Sequence, residues 1–198
     1  MLTERDRKVL NFIEKYKSIS INQASNIFFN TSYEGARRRL KQLEEMKYIK
    51  SYILKDTKEK AYYMNKKLSK HDLLVNDFIG EIKKRGGDII EFITQPTYLN
   101  KKIRPDAFII FSLKEMVYFI LLEVDLHHYT SNIKMKVYEE LYKSGELEKE
   151  CYGTFPIILI ARPTKGIRYN SRNFNVVYTD LSYSTIDRLL LLQNTIIS

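Results

Sequence analysis

Two apolar runs, residues 107–111 and 117–124, stand either side of Lys114-Glu115 in "RPDAFIIFSLKEMVYFILLEVD", and they constrain the fold more than any other stretch. Each is strand-sized, rich in β-branched and aromatic residues, and too short for a buried helix. A tight turn centred on Lys114-Glu115 pairs residues whose numbers sum to 229. Asp106 then lies opposite Glu123 and Arg104 opposite Asp125, and because side chains alternate, all four share one face. Directly opposed Cβ atoms are roughly 5 Å apart, and like charges there destabilise unless balanced. Three balances are open: a divalent metal such as Mg²⁺ on the two carboxylates, an ion pair of Arg104 with Asp125, or a carboxyl kept protonated by burial. A register slip of one residue would send Asp106 and Glu123 to opposite faces. His127-His128 come next; neighbours on an extended chain point opposite ways, so at most one could join the cluster, and a polar strand end is expected.

The flanking segments set the architecture. "HDLLVNDFIGEIKKR" has helical spacing and stops at Gly86-Gly87, with Lys83-Lys84-Arg85 complementing its dipole. "DIIEFITQPTYL" reads as a strand over 88–99 with an edge-like Pro96. "TSNIKMKVYEELYKSGEL" is helical, "FPIILIA" and "NVVYTD" are strands, and "STIDRLLLLQN" is a last helix that suits either a dimer interface or the core. The order α-β-β-β-α-β, then β-α, calls for an α/β unit, α+β for the whole chain, with a mixed sheet flanked by helices. It matches the order of the restriction-endonuclease-like core. "IARPTKGIRYNSRN", with Lys165, Arg168 and Arg172, is either a phosphate-contacting loop or a surface connection.

The net charge of +9 is unevenly spread. Residues 1–70 hold 17 of the 33 Lys and Arg but 8 of the 24 Asp and Glu, so residues 71–198 balance and the whole excess is N-terminal. A basic field confined to one segment attracts a polyanion, and nucleic acid is the first candidate. Thr3 with Asp6 caps a helix carrying Val9, Phe12 and Ile13; Ser20 with Gln23 caps a short one; Thr31 with Glu34 is expected to cap a third, with Ala36, Leu40 and Leu43 on its inner stripe. "YIKSYIL" and "KAYYMN" flank a polar loop and read as a hairpin, with one of Tyr62-Tyr63 turned to the core. Three helices and a hairpin resemble a winged helix-turn-helix, expected over residues 1–70, with residues 71–198 as a second domain. A step of about 100° per residue then turns Arg38, Lys41 and Gln42 outward with Arg37 at the edge. The run Arg37-Arg38-Arg39 lies in the half of a recognition helix that meets base edges, and Lys55, Lys58 and Lys60 on the hairpin suit neighbouring phosphates. The alternative is a solvated face on a protein-binding domain.

Cys151 is the only cysteine, so an internal disulfide is excluded, and an incidental thiol is expected. The charged opening "MLTERDRKVL" is unlike a signal peptide, and no apolar run reaches the roughly 20 residues of a membrane span. A cytoplasmic protein with no membrane partner is expected. "RPDAF" followed by "LLEVD" resembles the PD-(D/E)XK nuclease signature, with Asp106 and Glu123 in its acidic positions and Asp125 where its lysine stands. Lys134 or Lys136 on the following helix would have to supply that cation. More specifically, "LTERDRKVLNFI", "HDLLVNDF", "RPDAF", "LEVD", Lys136 with Tyr138, and Ser144-Gly145 together resemble the replication-relaxation family of Gram-positive mobile elements.

That resemblance implies a double-stranded DNA-binding protein of a plasmid or mobile element, acting in replication, mobilisation or transcriptional control, with replication or transfer proteins as further partners. A helix-turn-helix reader usually needs two half-sites, hence a homodimer. The nuclease-like domain is expected to be non-catalytic, because position 125 lacks the lysine, and to serve dimerisation or partner binding. The alternative is a Mg²⁺-dependent endonuclease with Asp106 and Glu123 as metal ligands and Lys136 as the third catalytic group.

Overall fold

The computed structural model describes residues 1–55, 57–126, 128–163 and 168–190. Among them are six helices and two sheets, divided between two units, Met1–Lys84 and Arg85–Ser198.

In the first unit, helix α1 (Glu4–Tyr16) starts at Thr3, whose hydroxyl accepts from the Asp6 N–H while the Asp6 carboxylate accepts from the Thr3 N–H. Strand β1 (Ser18–Ser20) leads into α2 (Ile21–Phe28), capped in the same way by Ser20 and Gln23. Helix α3 (Tyr33–Glu45) departs from expectation: Ser32, not Thr31, is its cap and accepts from the Gly35 N–H at 3.2 Å. Asn30 and Thr31 have φ of 48° and 65°, so the chain completes a left-handed turn before the helix begins. The inner stripe of α3 is Ala36, Leu40 and Leu43, all fully buried.

Strands β2 (Lys50–Ile53) and β3 (Lys60–Tyr63) form the expected antiparallel hairpin, with Tyr62 as the buried tyrosine. The far edge of β3 takes β1, giving the order β1-β3-β2. Three residues are too few for a period-two signal, which is why β1 escapes a sequence reading. Helix α4 (Lys70–Lys84), expected to open the second domain, belongs to the first unit. Its Leu73 carbonyl accepts from Gln23 Nε2 at 2.8 Å, Asn76 Nδ2 donates to the Tyr16 carbonyl at 3.1 Å, and Gly80 faces Ile27 closely enough that a Cβ would lie 3.6 Å from it. The boundary therefore falls at 84/85 rather than 70/71.

The second unit runs β4 (Asp88–Thr94), β5 (Ala107–Leu113), β6 (Met116–Val124), α5 (Asn132–Ser144), β7 (Ile157–Ala161), β8 (Val176–Thr179) and α6 (Asp187–Leu190). One mixed sheet has the order β4-β5-β6-β7-β8, antiparallel from β4 to β6 and parallel from β6 to β8, with α5 as the crossover between β6 and β7. The strand expected over 88–99 stops at Thr94, because Gln95 turns left-handed (φ 50°) and Pro96 follows. Lys114 and Glu115 have φ of 50° and 64°, a two-residue hairpin turn, and the pairs from Ala107↔Leu122 to Leu113↔Met116 keep the expected register.

The face toward α5 packs Phe108, Leu121, Ile158 and Ile160 against Met135, Tyr138 and Leu141. Cys151 is buried in the same cluster, and burial pushes its thiol up to about 12, so it stays protonated. The last helix is described as far as Leu190, with Ile186 and Leu189 buried; the remainder of "STIDRLLLLQN" lies outside the described residues. Among the described residues, no helix is long and apolar enough to cross a membrane.

Candidate functional site

On α3, the inner stripe turns Arg37, Arg38, Lys41 and Gln42 to solvent. Arg37 pairs with Glu34 at 2.9 Å and Lys41 with Glu45 at 3.6 Å, exposed and solvent-screened intrahelical pairs that are easily exchanged for another anion. Arg38 has no ion-pair partner among the described residues. Arg39, expected on the same face, is turned back on α1: its Nε donates to Asp6 Oδ1 at 2.7 Å, its Nη2 to Asp6 Oδ2, and its Nη1 to Gln42 Oε1 at 2.7 Å. Asp6 is fully buried, and the Arg39 guanidinium holds its carboxyl far below the usual range. Arg39 is therefore the tie between α1 and α3. Lys60 is used similarly, donating to Glu44 Oε2 at 2.8 Å from the hairpin, while Lys55 and Lys58 are exposed at the hairpin end. Between α1 and α3 lies an open groove of about 830 Å³, which has Arg38 and Gln42 on one wall and Arg5 and Lys8 on the other. Arg5 and Lys8 carried no motif; their signal was the basic outer face of the first amphipathic helix.

In the second unit the register brings the two expected carboxylates together. One step beyond the β5–β6 ladder, the Asp106 N–H donates to the Leu122 carbonyl at 3.0 Å, and Asp106 Oδ2 accepts from the Val124 N–H at 2.7 Å. Glu123 is 3 % exposed and receives Lys134 Nζ on Oε2 at 2.6 Å and the Tyr138 hydroxyl on Oε1. Burial pushes the Glu123 carboxyl up to about 7, a rise that the nearby Asp106 increases and that Lys134 and Tyr138 oppose. Lys134 and Tyr138 are four residues apart on α5, so one helix face delivers both. Lys136, expected beside Glu123, is off that face and exposed.

The positive charge that the acidic pair requires thus comes from the helix. Arg104 is exposed, its carbonyl accepts from Lys134 Nζ at 3.4 Å, and no ion pair joins it to Asp125 among the described residues. Asp125 instead accepts the Thr130 N–H and hydroxyl on Oδ1 at 2.8 and 2.7 Å, leaving its buried Oδ2 without a hydrogen-bond partner.

As arranged, this cluster does not fit a divalent cation well. Both Glu123 oxygens already accept from protein donors, so a divalent cation would take Glu123 only by displacing Lys134 Nζ or the Tyr138 hydroxyl. His128 is exposed, and His127 lies outside the described residues. In the 160–173 segment, Arg162 is buried and stacks on Tyr178 at 4.2 Å, with Arg168 at 5.5 Å from the same ring; Arg172 is exposed and Lys165 lies outside the described residues. No protein-family model and no curated protein matches the chain.

Proposed function

We propose that the first unit is a winged helix-turn-helix that binds double-stranded DNA, and that the chain is a sequence-specific DNA-binding protein of a plasmid or mobile element, active as a homodimer in replication, mobilisation or transcriptional control. What carries the reading is α3, which buries Ala36, Leu40 and Leu43 and offers Arg37, Arg38, Lys41 and Gln42 to solvent on the most basic part of the chain. Arginine and glutamine reach guanine and adenine edges in the major groove, and Lys55 and Lys58 supply phosphate contacts from the hairpin. The order β4-β5-β6-β7-β8 and the Asp106 and Glu123 carboxylates support reading the second unit as a nuclease-like domain, here turned to dimerisation or partner binding, since Glu123 is committed to Lys134 and Tyr138. A salt-dependent mobility-shift titration tests the reading: Arg38→Ala is expected to weaken duplex binding about tenfold and relax sequence preference, as loss of one base contact does. Unchanged affinity would remove α3 from the interface.

A metal-dependent endonuclease is a second reading, favoured by one observation: Lys134 meets the acidic pair from α5 although position 125 lacks a lysine. In that reading Mg²⁺ would use Asp106 and Glu123. Supercoiled plasmid incubated with Mg²⁺ or Mn²⁺ is expected to stay intact; nicking that disappears in Asp106→Asn would establish the enzyme.

A further inference from the structure

The groove between α1 and α3 contains an unequal set of charges. Its cations are Arg5 and Lys8 on α1 and Arg38 and Arg39 on α3; its anions are Glu4 and Asp6. Asp6 is consumed by Arg39 at the groove floor, and Glu4 pairs with Lys8 at 2.9 Å on the rim. Two guanidiniums are left over, one on each wall. Arg38 has no ion-pair partner among the described residues, and Arg5 rests on the Phe29 ring, 5.1 Å from its centroid, which holds the side chain along the groove.

One further feature favours an anion there. The first turns of α1 and α3 both line the groove, through Thr3 and Glu4 on one side and Gly35 on the other, as does the last turn of α2 through Ile27 and Phe28, so the positive ends of two helices meet the negative end of one there.

From this geometry we infer that the α1–α3 groove seats the phosphate backbone of the bound duplex, with Arg5 of α1 holding the sugar-phosphate chain on one wall while Arg38 of α3 reaches past it from the other toward the base edges. The inference rests on the reading of the first unit as a DNA-binding one. It adds a wall that the helix-turn-helix pattern did not assign: α1 becomes a clamp on the sugar-phosphate chain rather than only a support for α3. Arg39 and Asp6 set the groove's width, because they are the bond between its walls.

The test uses the full chain and a duplex of defined sequence, titrated from 50 to 300 mM salt. Arg5→Ala is expected to lower affinity several-fold at low salt and to reduce the log–log salt slope by about one, with sequence preference unchanged, as loss of one phosphate contact does. Arg5→Lys, which keeps the charge, should recover most of the affinity, and the thermal midpoint of both variants should match the wild type because Arg5 is exposed. If Arg5→Ala leaves affinity and slope unchanged while Arg38→Ala weakens binding, the groove inference falls and the DNA-binding reading stands. If neither substitution matters, the reading itself falls. Polyglutamate bound in an Arg5-dependent manner, with duplex binding unaffected, would give the groove to an acidic protein partner and overturn the inference.

Discussion

Three consecutive arginines on α3 have two different fates, and burial decides between them. Arg38 and Arg37 face solvent, whereas Arg39 satisfies a carboxylate that has no other access to water. Removing one partner of such a pair strands the other charge in the interior, a loss of about 3 kcal/mol or more. Arg39→Ala should therefore lower the denaturant midpoint of the first unit markedly, while Arg38→Ala leaves it within error; equal stabilities would show that Asp6 does not depend on Arg39. The repeat "RRR" gives no hint of this division, because Asp6 lies 33 positions away and only the packing of α1 on α3 brings it near.

Glu123 shows the same dependence on distant residues. Its carboxyl titrates at about 7 in the folded chain against 4.5 in an unfolded one, so the folded state holds more protons between those values and stability falls as pH rises through that window. Lys134→Met removes the charge that most opposes this rise, so the fall should steepen and continue above pH 7. Asp77, pushed up to about 7 by burial on α4, contributes a slope of the same sign, which cancels when the variant is compared with wild type. Urea midpoints of both proteins from pH 5 to 8 decide the matter: a constant difference across the range would mean that Lys134 does not act on the Glu123 proton.

At the scale of elements, the hairpin of β5 and β6 was the most legible part of the chain. Two strand-length apolar runs with a two-residue polar break leave a single compact register, and it carries Asp106 one step past the last pair, Ala107↔Leu122, where its carboxylate takes the Val124 N–H. The helix delivering Lys134 was legible as a helix but not in phase. Lysines at 134 and 136 differ by about 200° around its axis, and the sequence does not say which side the sheet takes until Met135, Tyr138 and Leu141 are known to be buried. The turn itself is strained, since neither Lys114 nor Glu115 is glycine or asparagine while both have positive φ. Lys114→Asn with Glu115→Gly should relieve this and raise the stability of the second unit by about 1 kcal/mol, read as a higher thermal midpoint. A drop would mean that the two side chains contribute contacts outweighing their backbone strain.

Over the whole molecule, the boundary is where composition and packing disagree. The basic excess ends near residue 70 and a new helix begins there, so charge and periodicity both suggest a break. Contacts run the other way: α4 accepts from Gln23, donates to Tyr16, and places Leu73 in a small cluster with Leu54 and Ala61 of the hairpin. A segment that satisfies buried polar groups of α1 and α2 cannot be removed without stranding them, at a cost of about 1–3 kcal/mol for each group. The same removal exposes apolar surface around Leu54 and Ala61. A fragment of residues 1–84 should therefore unfold cooperatively and bind the same duplex as the full chain, though more weakly if two copies are needed for two half-sites. A fragment of residues 1–70 should lose its cooperative transition in circular dichroism. If the shorter fragment proved equally stable, the break near residue 70 would stand, and the hydrogen bonds of α4 to Gln23 and Tyr16 would count for nothing in the stability of the first unit.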